Sequence, residues 1–406
     1  MNILDGGVTA PKGFFAAGIK AGIKKEKKDM AVVFSEIPCE SAGVFTRNLV
    51  KAAPVKWDKQ VVDSGAKCQA VIVNSGIANA CTGEEGMQHC AETASEAASV
   101  FGIAAEGVFV ASTGVIGPQL PMDKLLPGIK QLKEQMADTR EAARLAAEAI
   151  MTTDTVSKEV AVQTEIGGKT VTVAGMCKGS GMIHPDMCTM LCFLTTDVSI
   201  SKEMLQKALS SDVEDTFNMI SVDGDTSTND TVLVLANGAS GCPTITSDGA
   251  DYQAFLEAFH YVMEELCKKI AGDGEGATAL FEVKVIHAKS KEQAKILSKS
   301  VATSNLTKAA IYGHDANWGR ILCAMGYSGA DFEPEIVDLY FESAAGKLKI
   351  VENGTATDYS EEVATKILSE PAVTAIADLK LGEAAATAWG CDLTHEYVSI
   401  NADYRS

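Results

Sequence analysis

No stretch of this 406-residue chain approaches the ~18 consecutive apolar residues that a membrane-spanning helix requires. The opening residues, MNILDGGVTAPKGF, show no basic segment leading into an apolar one, so a secretory signal is not expected and a cytoplasmic protein is. None of the eleven cysteines forms a C-x-x-C pair. Their odd number and irregular spacing speak against a disulfide framework and fit reduced, mostly buried thiols. Positive charge is scarce: 35 Lys and Arg face 54 Asp and Glu, a net charge of −19. This disfavours nucleic acid and anionic membrane surfaces as partners. The single basic run, Lys24, Lys25, Lys27 and Lys28 around Glu26, reads as a solvated loop rather than a binding patch. No low-complexity segment, long linker or fixed-period repeat interrupts the chain.

With 46% hydrophobic and 22% charged residues, the chain has the composition of an ordinary soluble globular protein. Short β-branched runs bounded by glycine turns predict strands at 31–35, 42–45, 70–73 and 107–111, with a loop at 74–79. Helical spacing covers 88–101 and 121–151, the latter interrupted near its start by Pro127 and Gly128. Residues 160–164 and 169–174 flank Glu165–Gly168 as a hairpin. Further on, helices are expected at 201–218, 252–270, 291–303, 318–325 and 360–368. Strands are expected at 231–236, 281–287, 337–341 and around 396–401. Strands mixed with helices, some joined by hairpins, predict a layered α/β fold with mixed sheets.

The chemistry is concentrated in residues 176–197, MCKGSGMIHPDMCTMLCFLTTD. A glycine-rich turn carrying Lys178 leads through His184 and Pro185 to Thr189, which opens an apolar run of strand character. A threonine hydroxyl is a weak nucleophile by itself. An α-amine on the same residue titrates near ~7.7–8.0 and can take its proton. Freeing that amine requires cutting the Cys188–Thr189 bond. His184, Cys188 and Cys192 fall four apart, but Pro185 and the strand-like sequence after it disfavour a helical metal site, and no metal is expected. Asp223, Asp225 and Asp230 lack the glutamate that a calcium loop would need. The loop Gly272–Thr278 lacks the G-K-[ST] of a phosphate cradle.

KGSGM followed by Cys-Thr-Met-Leu resembles the self-cleavage segment of the glutamate N-acetyltransferase family, also called ornithine acetyltransferases, of arginine biosynthesis. The resemblance spans nearly the whole chain. Ala111–Gly117 (ASTGVIG) is similar to the family's oxyanion loop, which implies that Thr113 and Gly114 hold the oxyanion. By the same resemblance, Met151–Thr155 (MTTDT) implies a substrate contact at Thr153. The resemblance likewise implies that Lys178 in the turn is a carboxylate ligand and that Glu275 in GDGEGAT recognises the substrate amine. The NADYRS ending brings Asn401 and Ser406 to the substrate; the family usually ends in Thr, so Ser406 loses a methyl and keeps the hydroxyl. NSGIANACTG (74–83), SVDGDTSTND (221–230) and HDANWGR (314–320) also match, as residues near the site or of the framework.

The resemblance implies an α-β-β-α sandwich of the DmpA/ArgJ-like kind, cut into 1–188 and 189–406. The fragments would stay intertwined as one catalytic unit and assemble as a heterotetramer. The implied reaction moves acetyl from N-acetyl-L-ornithine to L-glutamate through acetyl-Thr189, without a cofactor. Whether acetyl-CoA also serves as donor is left open by the sequence. A self-processing amidase or aminopeptidase, accepting water instead of glutamate, and an uncleaved amino-acid binder are the competing readings.

Overall fold

The computed structural model describes residues 1–184 and 190–402. The chain begins with β1 (Asn2–Leu4), β2 (Phe14–Ile19), β3 (Met30–Phe45), α1 (Ala53–Ser64), β4 (Cys68–Ile77), α2 (Gly83–Phe101) and β5 (Val108–Val115). It continues through α3 (Met122–Gln135), α4 (Arg140–Ala149), β6 (Lys158–Ile166), β7 (Lys169–Lys178), β8 (Leu191–Thr196), α5 (Lys202–Asp212), β9 (Thr231–Ala236) and α6 (Ala250–Gly272). The remainder comprises β10 (Leu280–Ala288), α7 (Lys291–Ala302), α8 (Asn305–Tyr312), α9 (Trp318–Gly326), β11 (Asp338–Ser343), β12 (Gly346–Glu352), β13 (Thr355–Ala356), α10 (Glu361–Leu368), β14 (Ala372–Asp378), β15 (Ala384–Cys391) and α11 (His395–Ala402).

The long strand β3 joins two sheets. Its first half pairs with β2 and β4, and β4 with β5; its second half pairs with β9, which leads through β8, β7 and β6 to β1. The β4–β5 and β8–β9 pairs are parallel and the rest antiparallel, so the sheets are mixed. Alternation along each strand builds the layers. In β8 and β9, Leu191, Phe193, Leu233 and Leu235 point between the sheets, where they meet Val71, Val73 and Phe109 of the other sheet. Cys192, Leu194, Val232 and Val234 point the opposite way, onto Phe259, Val262 and Leu266 of α6. On the far side of the first sheet, Ile72 and Val110 pack under Ala94 and Ala97 of α2 and Ile129 of α3. The result is helices, sheet, sheet, helices, as expected.

A separate six-stranded sheet, ordered β13-β12-β11-β14-β10-β15, completes the molecule. Here one expectation is overturned. Residues 395–402 form a helix, not a strand, and β15 just before it is one of the strands not expected from the sequence. The Tyr397 N–H donates to Thr394 Oγ1 at 3.4 Å, an N-terminal cap that the alternating side chains of 396–401 conceal. The predicted helix at 121–151 is two helices, α3 and α4, and the one at 201–218 ends at Asp212. The strands read at 31–35 and 42–45 are the two halves of β3, and β4 runs through the expected loop to Ile77.

Candidate active site

The two sheets end around a cavity of about 130 Å³ whose lining includes Thr113, Gly114, Thr153, Lys178, Glu275 and Asn401. Thr113 and Gly114 stand near the end of β5, in register with Ser75 and Gly76 of β4. Gly114 has φ +129°, and a Cβ there would lie 2.2 Å from the Gly76 carbonyl carbon, so only glycine lets the strands close here. Two buried amides fix this loop from behind. Asn229 Nδ2 donates to the carbonyls of Ala78 (2.6 Å) and Ser112 (2.7 Å). Asn74 Oδ1 accepts from Ser112 Oγ at 2.6 Å.

Lys178 is the last residue of β7 and is buried, with its Nζ 3.4 Å from Thr113 Oγ1. Behind it lies a buried ionic triad. Lys158 Nζ, with no side-chain exposure, reaches Asp154 at 2.7 Å and Asp273 at 2.5 Å. Asp154 also accepts from the backbone N–H of Gly179 (2.8 Å) and of Thr152 (3.0 Å), while the Asp273 carboxylate accepts from Thr155 and its carbonyl from Ser180 Oγ (2.7 Å). Three segments remote in sequence are thereby tied together: the 152–155 loop, the 178–181 turn and the 273–276 loop. Burial pushes the Asp154 carboxyl up, but the charges of Lys178 and Lys158 reverse this and hold it well below the usual carboxylate range. Burial depresses Lys158, yet Asp154 and Asp273 raise it above an ordinary lysine, so the lysine stays charged.

The last wall is built from Glu275 and α11. The Glu275 N–H donates to the Ser180 carbonyl at 3.0 Å, and its Oε2 accepts from Asn401 Nδ2 at 2.7 Å. A Cβ on Gly181 would fall 2.3 Å from the Glu275 carboxylate, so glycine is what admits this close approach. Asp223 accepts from the N–H groups of Met182 (2.6 Å) and Ile183 (2.9 Å), anchoring the chain as it leaves the turn.

Six of the residues singled out from the sequence, Thr113, Gly114, Thr153, Lys178, Glu275 and Asn401, therefore meet at one cavity. Cys188, Thr189 and Ser406 lie outside the described residues. On the C-terminal side of Thr189, the buried Met190 accepts at its carbonyl from the Thr231 N–H at 2.9 Å, and Leu191 pairs with Lys178 and Thr231. The 74–83 and 221–230 segments supply the supports Asn74, Asp223 and Asn229. HDANWGR instead begins α9, with Asn317 Oδ1 capping the Arg320 N–H at 3.3 Å and Arg320 bonded to the Leu306 carbonyl; it is framework. Asp154, Lys158 and Asp273 carry no flag in the sequence as a unit, because nothing in their spacing shows that they meet. Among the described residues, no cluster of three or more His, Cys, Asp or Glu side chains is arranged for a metal ion, and no helix is long and apolar enough to cross a membrane.

Comparison with known proteins gives a consistent result. The profile of the ArgJ family matches residues 15–406. The arginine biosynthesis bifunctional protein ArgJ of Thermotoga neapolitana is 49% identical over 397 residues, covering 98% of this chain and 99% of the relative. That of Caldanaerobacter subterraneus subsp. tengcongensis is 50% identical over 406 residues, all of both chains. Among solved structures, a chain of the bifunctional ArgJ protein from Bacillus halodurans is 45% identical with a TM-score of 0.51 and covers 53% of this chain and 99% of its own.

Proposed function

The chain belongs to the ArgJ family, and from that membership and the geometry of its pocket we propose that it moves the acetyl group of N-acetyl-L-ornithine to L-glutamate through an acetyl-threonine at Thr189. The observation that carries this reading is the convergence of five separate segments, bearing Thr113–Gly114, Thr153, Lys178, Glu275 and Asn401, on one small cavity. A buried cation and a buried anion there suit an amino acid, which brings both charges.

In this reading the Thr189 hydroxyl first attacks the Cys188 carbonyl, and hydrolysis of the resulting ester leaves fragments 1–188 and 189–406. The freed amine then serves as base for the same hydroxyl. The acetyl carbonyl accepts the attack, and its developing oxyanion takes hydrogen bonds from Thr113 Oγ1 and the Gly114 N–H. Lys178 donating toward Thr113 Oγ1 leaves that hydroxyl's proton free to point at the oxyanion. Ornithine departs with the proton held by the Thr189 amine. The glutamate amine then attacks the acetyl ester and regenerates the hydroxyl. Lys178 is assigned to the substrate carboxylate and Glu275 to the ornithine side-chain amine, with Thr153, Asn401 and Ser406 closing the pocket. One observation supports cleavage and a second supports the fragments staying together. The matched Bacillus halodurans chain, nearly complete, covers just over half of this one, the share that residues 189–406 make up. And β8 is paired on both edges, by β7 and β9, so the fragments would remain one unit. A heterotetramer with two copies of each fragment, and acetyl-CoA as a second donor in keeping with the relatives' bifunctional name, complete the reading.

The test is a denaturing gel with mass spectrometry beside a transfer assay. Two fragments starting at Met1 and Thr189, with acetyl passed to glutamate, are expected; Thr189→Ala should stay intact and inactive. An active wild-type enzyme made of one intact chain would sink the nucleophile assignment. Acetylornithine hydrolysis that glutamate leaves unchanged would favour the amidase reading.

A further inference from the structure

In the proposed reaction the nucleophile and the oxyanion donors stand on different fragments. Thr189 opens 189–406, while Thr113 and Gly114 belong to 1–188. Catalysis needs the two in register within ~0.5 Å, because an oxyanion donor acts only at about 2.7–3.1 Å from the developing charge. A continuous set of hydrogen bonds spans that division, and Asn229 stands at its centre.

On the nucleophile side, Met190 directly follows Thr189, and its carbonyl accepts from the Thr231 N–H at 2.9 Å. Thr231 Oγ1 donates to the Asn229 carbonyl at 3.0 Å. The Asn229 side chain is buried and its orientation is set. Its Oδ1 accepts from Thr228 Oγ1 at 2.7 Å, which turns Nδ2 to the carbonyls of Ala78 (2.6 Å) and Ser112 (2.7 Å). Both amide protons are thereby engaged across the division. The Ser112 carbonyl lies in the same peptide plane as the Thr113 N–H. The Ala78 N–H in turn donates to the Val115 carbonyl at 2.9 Å. Thr113 and Gly114 are therefore held between two fixed carbonyls, Ser112 before them and Val115 after, and both lead back to Asn229.

We propose that Asn229 is a positioning residue for acyl transfer, setting the oxyanion loop of one fragment against the strand that carries the nucleophile in the other. The inference rests on the acetyl-threonine reading above. Asn229 acts through the loop and not on the oxyanion, since both of its amide protons are already engaged. Its loss releases the Ser112 and Ala78 carbonyls, so that Thr113 and Gly114 move off the oxyanion position. Lys178 and Glu275, assigned to the substrate's charges, are held by other bonds: the pairing of β7 with β8, and the Glu275 N–H on the Ser180 carbonyl. Asn229 should therefore govern kcat more than KM. Asn237 supplies the control. It follows the other end of β9 and is equally buried, and its Nδ2 donates to the Lys12 carbonyl (2.8 Å) and to Ser35 Oγ (3.3 Å), none of which line the acyl cavity.

The experiment measures Tm, and kcat and KM for transfer from N-acetylornithine to glutamate, in processed wild type, Asn229→Ala, Asn229→Asp and Asn237→Ala. It then repeats Asn229→Ala in a Thr113→Ala background. Asn229→Ala should lower kcat about 10–100-fold and change KM less than about threefold. Asn229→Asp keeps the shape without the two donors and should lose at least as much; it carries the test where Asn229→Ala does not fold. Asn237→Ala should lower Tm and leave kcat within about twofold of wild type. In the Thr113→Ala background the Asn229→Ala loss should shrink to under about fivefold, because the hydroxyl that Asn229 positions is gone. A loss undiminished in that background, a near-normal kcat in Asn229→Asp, or an equal kcat loss in Asn237→Ala overturns the inference and leaves the main function standing. So does a folded Asn229→Asp chain that never cleaves, which would assign Asn229 to maturation instead. An active wild type made of one uncleaved chain overturns the acetyl-threonine reading, and this inference with it.

Discussion

Two of the charged clefts among the described residues differ in how their charges are held. The acyl pocket measures about 130 Å³; the other, between α6, α7 and the six-stranded sheet, measures about 420 Å³ and is lined by more ionic groups. In the larger cleft most of the charges are paired with a neighbour. His260, Glu264 and Lys268 follow one another at four-residue steps on α6, and Lys291 and Lys295 both reach Asp215. Such half-exposed pairs contribute little individually. In the acyl pocket, Lys178 and Glu275 are buried, and among the described residues neither has an oppositely charged side chain at ion-pair distance. Their partners are a hydroxyl and an amide, Thr113 and Asn401. What marks a site is unanswered charge held by segments from distant parts of the chain, not the number of charges.

The sharpest way to test this contrast is to remove one lysine from each place. Lys158→Met leaves two buried carboxylates without their shared cation and should cost about 3–5 kcal/mol, seen as a lower denaturant midpoint. It should also impair transfer, because three pocket segments lose their common tie. Lys291→Met, whose lysine is 58% exposed against Asp215, should cost less than about 1 kcal/mol. Equal midpoints for the two variants would mean that the buried triad contributes no more than a surface pair.

Catalysis gives the next comparison. Thr113→Ala should lower kcat by about 10²–10³, the loss typical of one oxyanion donor, with a smaller change in KM because the donor acts on charge that appears in the transition state. Lys284→Ala, in the larger cleft, should leave both constants unchanged. A Thr113→Ala enzyme with near-normal kcat would reduce the 111–117 loop to a simple turn.

Much of this contrast was legible beforehand, and the gaps have physical causes. The strands β8 and β9 are visible as short, continuously apolar runs because both of their faces are buried, and the expected layering is the one observed. The strand Ala384–Cys391 escaped because alanine and threonine side chains leave no pattern of large apolar residues. The helix Arg140–Ala149 was merged with its predecessor because the break between them carries no glycine or proline. At the site, Lys178 and Glu275 could be singled out through the resemblance of their glycine-rich segments to the family's, since a lone lysine on a turn would otherwise be read as exposed. Asp154, Lys158 and Asp273 could not be read as a triad, since the pairing of a strand-edge lysine with a loop more than a hundred residues away is a tertiary fact. The lysine loop is the reverse case: its exposure at Lys25 and Lys27 was foreseen, and its place beside the acyl pocket was not.

The smallest expected effect lies in the larger cleft and concerns pH. Hydrogen bonds to Asp212 and then Glu264, opposed by burial, raise His260 from an ordinary 6.5 to about 10. A histidine raised on folding stabilises the protein fully below its unfolded value, and that contribution fades as pH climbs through the folded one. The hydrogen bond from His260, helped by Lys268, lowers Glu264 to about 2, so its contribution is complete above its ordinary 4.5. The cluster therefore stabilises most between about pH 4.5 and 6.5 and weakens from there toward pH 10. Because His260 is 43% exposed, solvent screening keeps the effect small. Thermal unfolding of wild type and His260→Gln should show the variant less stable at pH 6 and the two converging by pH 10. Transfer activity at pH 7 should be the same in both, since nothing in this cleft reaches the acyl pocket. A gap in Tm that stays constant from pH 6 to pH 10 would show that His260 contributes by packing rather than by charge.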